Sequence, residues 1–245
     1  MAAESSEDEQ YAPETMCERL DGVERRIEAA CERSGRDREE VTLCAVSKTH
    51  PVAAIRRLYD EGVRDFGASY VQEWQQKAPE LPDDIRWHFV GHLQSNKAKY
   101  IVDRVAMVHS VDRRSVMKQL NRRAEHPVDV LLQINIAEQD SKSGVAPGEL
   151  ADLLEMTLDY PNLKVRGLMT LPPHVEEPEQ NRRRFRRMGE LFEEASQWLE
   201  ETEQRDASIF EHLSMGMTND FEVAIEEGAT IVRLGTALFG PRHYD

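Results

Sequence analysis

Apolar residues fall in short runs separated by longer stretches with helical spacing, and this rhythm continues along nearly the whole chain. The first clear run is Val41-Thr42-Leu43-Cys44-Ala45-Val46, rich in β-branched types and lacking the alternation of a half-solvated strand. It reads as a strand buried on both faces. Strand-like segments recur at Val41–Lys48, Asp65–Ser69, Trp87–His92, Met107–Val111, Val128–Ile136, Lys164–Leu171, Phe210–Met215 and Thr230–Gly235. Between them lie segments with a 3.6-residue period, the clearest carrying Phe185, Met188, Phe192, Ala195 and Leu199 on one stripe. A lead-in helix from Thr15 to about Ser34 presents Leu20, Val23, Ile27 and Ala30. Eight strands with seven intervening helices predict an α/β protein folded as one closed (β/α)8 TIM barrel. A doubly wound dinucleotide-binding sheet would want G-x-G-x-x-G after an early strand, and the sequence has none. Met1–Glu14 is acidic and poor in bulky apolar residues, so it reads as a disordered tail, leaving 15–245 as the barrel.

Composition narrows the partners. The chain of 245 residues carries 46 acidic against 31 basic side chains, a formal charge of -15, which disfavours nucleic acid as a ligand. Such acidity suits a halophilic source, or serves solubility alone. No apolar run approaches the ~18 residues of a membrane span, and the polar, acidic amino terminus is unlike a signal peptide. A soluble, cytoplasmic protein without membrane contact is expected. Cys17, Cys31 and Cys44 are odd in number and form no C-x-x-C pair, which argues against disulfides and thiolate zinc, with Cys44 a small core residue. His88 and His92 flank one strand-like segment without a third ligand nearby, so hydrogen bonding is favoured over metal, and no metal site is expected. In the basic run Asn181–Arg187, Phe185 belongs to the buried stripe, so the arginines should face solvent and pair with glutamates.

The candidate chemistry sits at strand ends. Lys48 follows the first strand, and Pro51 then opens a helix. It therefore stands at the carboxyl end of a barrel strand, where ligands bind. A lysine partly desolvated there can attack a carbonyl and form a Schiff base; a solvent-reaching lysine is the plainer alternative. Late in the chain, Ser214 offers a hydroxyl, Gly216 permits close backbone approach, and Gly235-Thr236 makes a second small turn. Asn219 and Glu222 have capping-box spacing at a helix start. Phosphates often bind the loops after strands seven and eight of such barrels. With Lys48, these features suggest a phosphorylated carbonyl cofactor, which describes pyridoxal phosphate.

The segments AVSKTHP, FG-x-x-YVQE, WHFVGHLQSNK, RGLMT (Arg166–Thr170), LSMGMTND and VRLGTALFG, in this order, closely resemble the pyridoxal phosphate homeostasis protein family. Its members are single-domain proteins similar to the barrel domain of alanine racemase. The resemblance implies that Lys48 holds the cofactor as an internal aldimine. It further implies that Ser214, Gly216, Gly235 and Thr236 take the phosphate and that Arg233 faces the pyridine nitrogen. Family members are regarded as regulators of vitamin B6 balance without an established reaction, with apo-enzymes that need the cofactor as potential recipients. Where the family usually has Glu-Asn this chain has Ala68-Ser69, so Ser69 stands where the pocket asparagine would be. Asn96 is a further pocket candidate. Two alternatives stay open: an amino-acid racemase or other pyridoxal phosphate enzyme, and an aldolase-like barrel. A racemase would want a second base, which barrel racemases bring from another domain, whereas Tyr244 stands in a short terminal tail. Aldolase lysines typically lie late in the barrel, whereas Lys48 ends the first strand.

Overall fold

The apolar runs fold into eight parallel strands: β1 (Thr42–Val46), β2 (Asp65–Ala68), β3 (Arg86–Phe89), β4 (Met107–Val111), β5 (Val128–Ile134), β6 (Leu163–Thr170), β7 (His212–Ser214) and β8 (Ile231–Leu234). Each pairs with the next, and β8 returns to β1 through Thr42↔Ile231 and Ala45↔Leu234, closing the barrel. This computed structural model describes residues 10–139, 143–202 and 206–241. The helices are α1 (Pro13–Ser34), α2 (Val52–Asp60), α3 (Val71–Lys77), α4 (Arg114–Arg123), α5 (Leu150–Thr157), α6 (Arg182–Thr202), α7 (Phe221–Glu226) and α8 (Thr236–Phe239). One connection differs from the sequence expectation. Between β3 and β4 the chain forms a 3-10 helix, Ser95–Tyr100, in which Ala98 is the only buried residue. That segment lacks the apolar stripe that would hold an α-helix against the sheet.

Two apolar shells result. The larger lies between strands and helices, where Phe185, Met188, Leu191, Ala195 and Leu199 of α6 are all buried. Fully burying each of the larger side chains contributes about 1.5–3 kcal/mol. Arg182, Arg186 and Arg187 leave that stripe for the opposite face and pair with Glu179, Glu190, Glu194, Glu226 and Glu227, as the basic run suggested. The smaller shell fills the barrel interior with Cys44, Val90, Met107, Leu131, Met169 and Ile231. Cys44 is fully buried, and burial pushes its thiol pKa up, so it stays an inert core residue.

The lead-in helix α1 ends at Gly35, whose left-handed φ of 67° lets the Arg36 N–H reach Cys31 O at 2.9 Å. It lies along α7 and α8, tied by Arg26–Glu222 and Arg33–Glu226 pairs. Residues 1–9 of the expected acidic tail lie outside the described residues. Of Gln10–Glu14, which the sequence places in that tail, Gln10 and Tyr11 are tied to the barrel, and Pro13-Glu14 already open α1. Gln10 is buried and donates to Phe239 O at 2.8 Å, while the Tyr11 hydroxyl meets His50 Nδ1 at 2.9 Å. Among the described residues no helix is long and apolar enough to cross a membrane.

Candidate functional site

Lys48 stands on a turn that is held from both sides. Before it, the Ser47 N–H donates to Gly67 O at 3.0 Å, carrying the β1–β2 pairing to the strand end. After it, Thr49 takes a left-handed φ of 68° and its N–H donates to Glu73 Oε1 at 2.7 Å. A non-glycine residue in that region costs on the order of 1 kcal/mol and persists because its surroundings hold it. His50, buried and stacked on Phe239 with ring centroids 4.7 Å apart, anchors the turn from behind. The half-buried Lys48 side chain then extends over the mouth, with Nζ 5.8 Å from the ring centroid of the exposed Tyr70.

A cavity of about 750 Å³ opens at this mouth, lined by Lys48, Ser69, Thr218, Arg233, Gly235 and Thr236 among others. The structure thus brings together five of the eight residues singled out from sequence. The backbone enforces the gathering. A Cβ at Gly91 would lie 2.0 Å from Ser69 O, so only glycine lets the loops after β2 and β3 press together there. Gly235 approaches β1 closely, its virtual Cβ 3.3 Å from Val46 O.

The other three candidates lie elsewhere. Ser214, expected at the phosphate, is completely buried inside the barrel, its hydroxyl engaged by Arg233 Nη1 and by His109 Nδ1 at 3.0 Å. Gly216 shapes the backbone beneath the cavity: its φ is 91°, and its carbonyl accepts the Arg233 N–H at 3.0 Å. Asn96 is exposed in the 3-10 helix and does not line the cavity. The Asn219–Glu222 capping box is also absent: Asn219 Nδ2 donates to Val175 O at 2.8 Å, and Glu222 pairs with Arg26. Asp220 takes over the turn, accepting from Met217 N and from the buried Asn181 Nδ2, both at 2.8 Å. Thr218 is a cavity hydroxyl that the sequence reading passed over, although it sits in the LSMGMTND segment; its Oγ1 accepts the Ala237 N–H at 3.3 Å.

Below the cavity a polar file crosses the apolar interior. Arg233 Nη2 donates to Thr170 O at 2.7 Å, and Nη1 reaches Ser214. Ser214 meets His109, whose Nε2 lies 2.9 Å from His88 Nδ1, and His88 Nε2 lies 2.9 Å from Asp65 Oδ1. At the amino-terminal rim Arg86 Nε closes the file on Asp65 at 2.8 Å. His88 and His92 therefore part company, since His92 stands at the mouth, 2.9 Å from Ser143 Oγ. Burial lowers the Arg233 pKa to about 10, which leaves it charged at neutral pH. Burial would raise the Asp65 pKa, but hydrogen bonds from Arg86 and His88 outweigh it and bring the carboxyl down to about 2. His109 is held well below its ordinary 6.5, first by burial and then by the neighbouring His88 and Arg233, so it is neutral.

This geometry sets a pH dependence of stability. Unfolded, His109 takes up a proton below about pH 6.5; folded, it does not, so stability falls as pH drops through that value. Asp65 has the opposite origin: its contribution is intact above pH 4 and fades only as pH falls toward 2. Between pH 6 and 5 the histidines therefore govern the slope, with about 1.4 kcal/mol per pH unit from His109. Half-buried His212, also lowered by burial, adds to it. Urea unfolding at pH 7.5, 6.0 and 5.0 should show this loss, reduced by one proton's worth in His109→Asn. An unchanged slope in the variant would place the proton elsewhere.

Comparison with known proteins places the chain among relatives. Residues 19–243 match the family described as alanine racemase, N-terminal domain. The pyridoxal phosphate homeostasis protein of Aquifex aeolicus (strain VF5) is 46% identical over 233 residues, covering 93% of this chain and 99% of its own. That of Pseudomonas aeruginosa is 42% identical over 234 residues, covering 94% and 97%. The solved structure of PipY from Synechococcus elongatus PCC7942 with PLP bound superposes with a TM-score of 0.76 at 34% identity, covering 92% of this chain and all of PipY.

Proposed function

This chain belongs to the pyridoxal phosphate homeostasis protein family, and on that premise we propose that it binds pyridoxal 5'-phosphate at the barrel mouth and passes it on. The carrying observation is the convergence of Lys48 and Arg233, from opposite ends of the chain, on one cavity that also holds the Thr218 and Thr236 hydroxyls. The donor set fits the cofactor. Lys48 supplies an amine for its aldehyde, and the hydroxyls and the Gly235-Thr236 turn suit a phosphate. The Asp220 carboxylate, which also borders the cavity, has both oxygens committed to Met217 and Asn181 and does not compete with an anion. Bound pyridoxal phosphate supplies a carbon that amines attack and a ring whose nitrogen sets its capacity to accept electrons.

The residues favour holding over turnover. Arg233 would face the ring nitrogen of the bound cofactor; a guanidinium has five donors, no acceptor and a pKa that keeps it charged, so it would not hand that nitrogen a proton. An unprotonated ring is a poorer electron sink, which disfavours carbanion chemistry. Lys48 is only half-buried and so remains open to exchange with incoming amines. The physiological setting that suits this activity is the cytoplasm, with apo-enzymes as recipients.

The test loads the protein with cofactor, mixes it with an unrelated apo-enzyme that requires it, and follows that enzyme's activity. A parallel sample contains a trap for free cofactor. Reactivation that survives the trap, without interconversion of alanine enantiomers by the barrel itself, is expected. No reactivation, together with steady racemisation at enzymatic rates, would replace the carrier by a racemase.

A further inference from the structure

The polar file beneath Arg233 has a direction. Arginine only donates, and the ionised Asp65 at the other end only accepts. With His109 neutral, one order satisfies every link: Arg233 donates to Ser214, Ser214 to His109 Nδ1, His109 Nε2–H to His88 Nδ1, and His88 Nε2–H to Asp65. The reverse order fails. Were His88 protonated, Ser214 would accept from both His109 and Arg233, and its own proton would have no acceptor among the described contacts. The members come from five strands, β2, β3, β4, β7 and β8, and all are buried. An interior that needed only filling would be cheaper with the aliphatic side chains found beside them, such as Met107 and Ile231, because each buried polar group must be paired.

We propose that Asp65, His88, His109 and Ser214 are positioning residues that act as a one-directional relay, aiming the Arg233 guanidinium at the cofactor's ring nitrogen from the opposite rim of the barrel. The inference rests on the reading of Arg233 as the partner of that nitrogen. Two of the guanidinium's donors are committed, to Ser214 and to Thr170 O, and these two contacts fix its plane. The Thr170 contact alone would leave it free to pivot; the second, supplied through Ser214, removes that freedom. The relay therefore transmits the geometry of the Asp65–Arg86 pair at the amino-terminal rim to the mouth.

The test uses the full chain loaded with cofactor labelled with nitrogen-15 in the ring, with circular dichroism and thermal melting to establish folding. Four variants are compared. Arg233→Gln should move the ring-nitrogen signal, and a signal that stays put would remove the premise about Arg233. With that premise standing, His109→Leu should move the signal the same way and speed cofactor release roughly tenfold, the scale of one lost hydrogen bond to a charged group. His109→Asn returns an acceptor oxygen to the place of Nδ1 and should recover most of the wild-type signal, which a purely space-filling role for His109 would not do. Ser214→Ala, small enough to fold where His109→Leu does not, should move the ring-nitrogen signal and leave the phosphorus-31 signal of the cofactor unchanged. A folded Ser214→Ala or His109→Leu protein with the wild-type ring signal would overturn the relay. A shifted phosphorus signal alone would return Ser214 to the phosphate and overturn it equally.

Discussion

Borohydride reduction of the cofactor-loaded protein should place the pyridoxyl mass on Lys48 alone, and Lys48→Ala should lose the visible absorption band entirely. Among the described lysines, none other than Lys48 borders the cavity. Lys77 is bonded to the Glu73 carboxylate and to Ser47 O at 3.3 Å. Lys97 lies in the 3-10 helix with Nζ 5.6 Å from the Tyr100 ring centroid and does not border the cavity. Lys48 is the lysine that shares the cavity with Arg233 and Thr236, and the turn around it is pinned through Thr49 and His50. A charged-to-small change at this position leaves the barrel core untouched, so the variant should melt within about 0.5 kcal/mol of wild type. The digest is read by mass spectrometry; label on Lys77 or Lys97 with Lys48 unmodified would refute the assignment.

The largest effect on stability is expected at Gly167. The β5–β6 register slips by one residue there, from Val130↔Val165 to Leu131↔Gly167, so Arg166 is the extra residue of a bulge. Its guanidinium turns outward to Asp129 at 2.8 Å, and Gly167 absorbs the kink with a φ of 146°. A Cβ at that position would lie 1.8 Å from His212 O, in the backbone of β7. Gly167→Ala thus combines a backbone conformation that L residues rarely adopt with a collision against a strand that cannot move alone. Roughly 1–3 kcal/mol for the conformation and a similar amount for overpacking make it severe against a total stability of about 5–15 kcal/mol. Gly22→Ala is the matched control. Gly22 lies within α1, its virtual Cβ meets nothing within 4 Å, and the change should stabilise by up to about 1 kcal/mol. Urea midpoints of the two variants should move in opposite directions; a Gly167→Ala midpoint within experimental error of wild type would contradict the clash.

The barrel was legible because its signals are local. Apolar runs such as Leu131-Leu132 mark the strands wherever the neighbours lie, and the α6 stripe shows its inner face within a few turns. Strand ends were less legible. The third apolar segment reads on through Val90, which remains buried after β3 has ended at Phe89, so hydrophobicity outlasts the ladder. Site residues divided in the same way. Lys48, Gly235 and Thr236 advertise themselves as chemistry at strand ends, whereas Arg233 is singled out only through the family resemblance. Sequence does not say which way Ser214 points, because a hydroxyl next to a glycine turn looks alike whether it points up into the mouth or down into the barrel, where the structure has it bonded to Arg233 and His109. The file from Asp65 to Arg233 was invisible because its members are neighbours only after closure. Its clearest sequence trace is two histidines, His88 and His109, each with an apolar residue before it in a buried strand, and periodicity does not say that they meet.

Closure also orders events in time. Lys48 ends the first strand and Arg233 belongs to the last, and they become neighbours through the β1–β8 ladder, with Cys44 opposite Arg233 in register. During synthesis the Lys48 amine therefore exists long before the residues proposed to grip a phosphate, and a chain lacking its final strand would have no second arm with which to retain a bound carbonyl compound. On the proposed binding mode, retention would become possible only when the barrel shuts, so loading would report the completion of folding, and partly made or partly unfolded chains would return their vitamin to the pool.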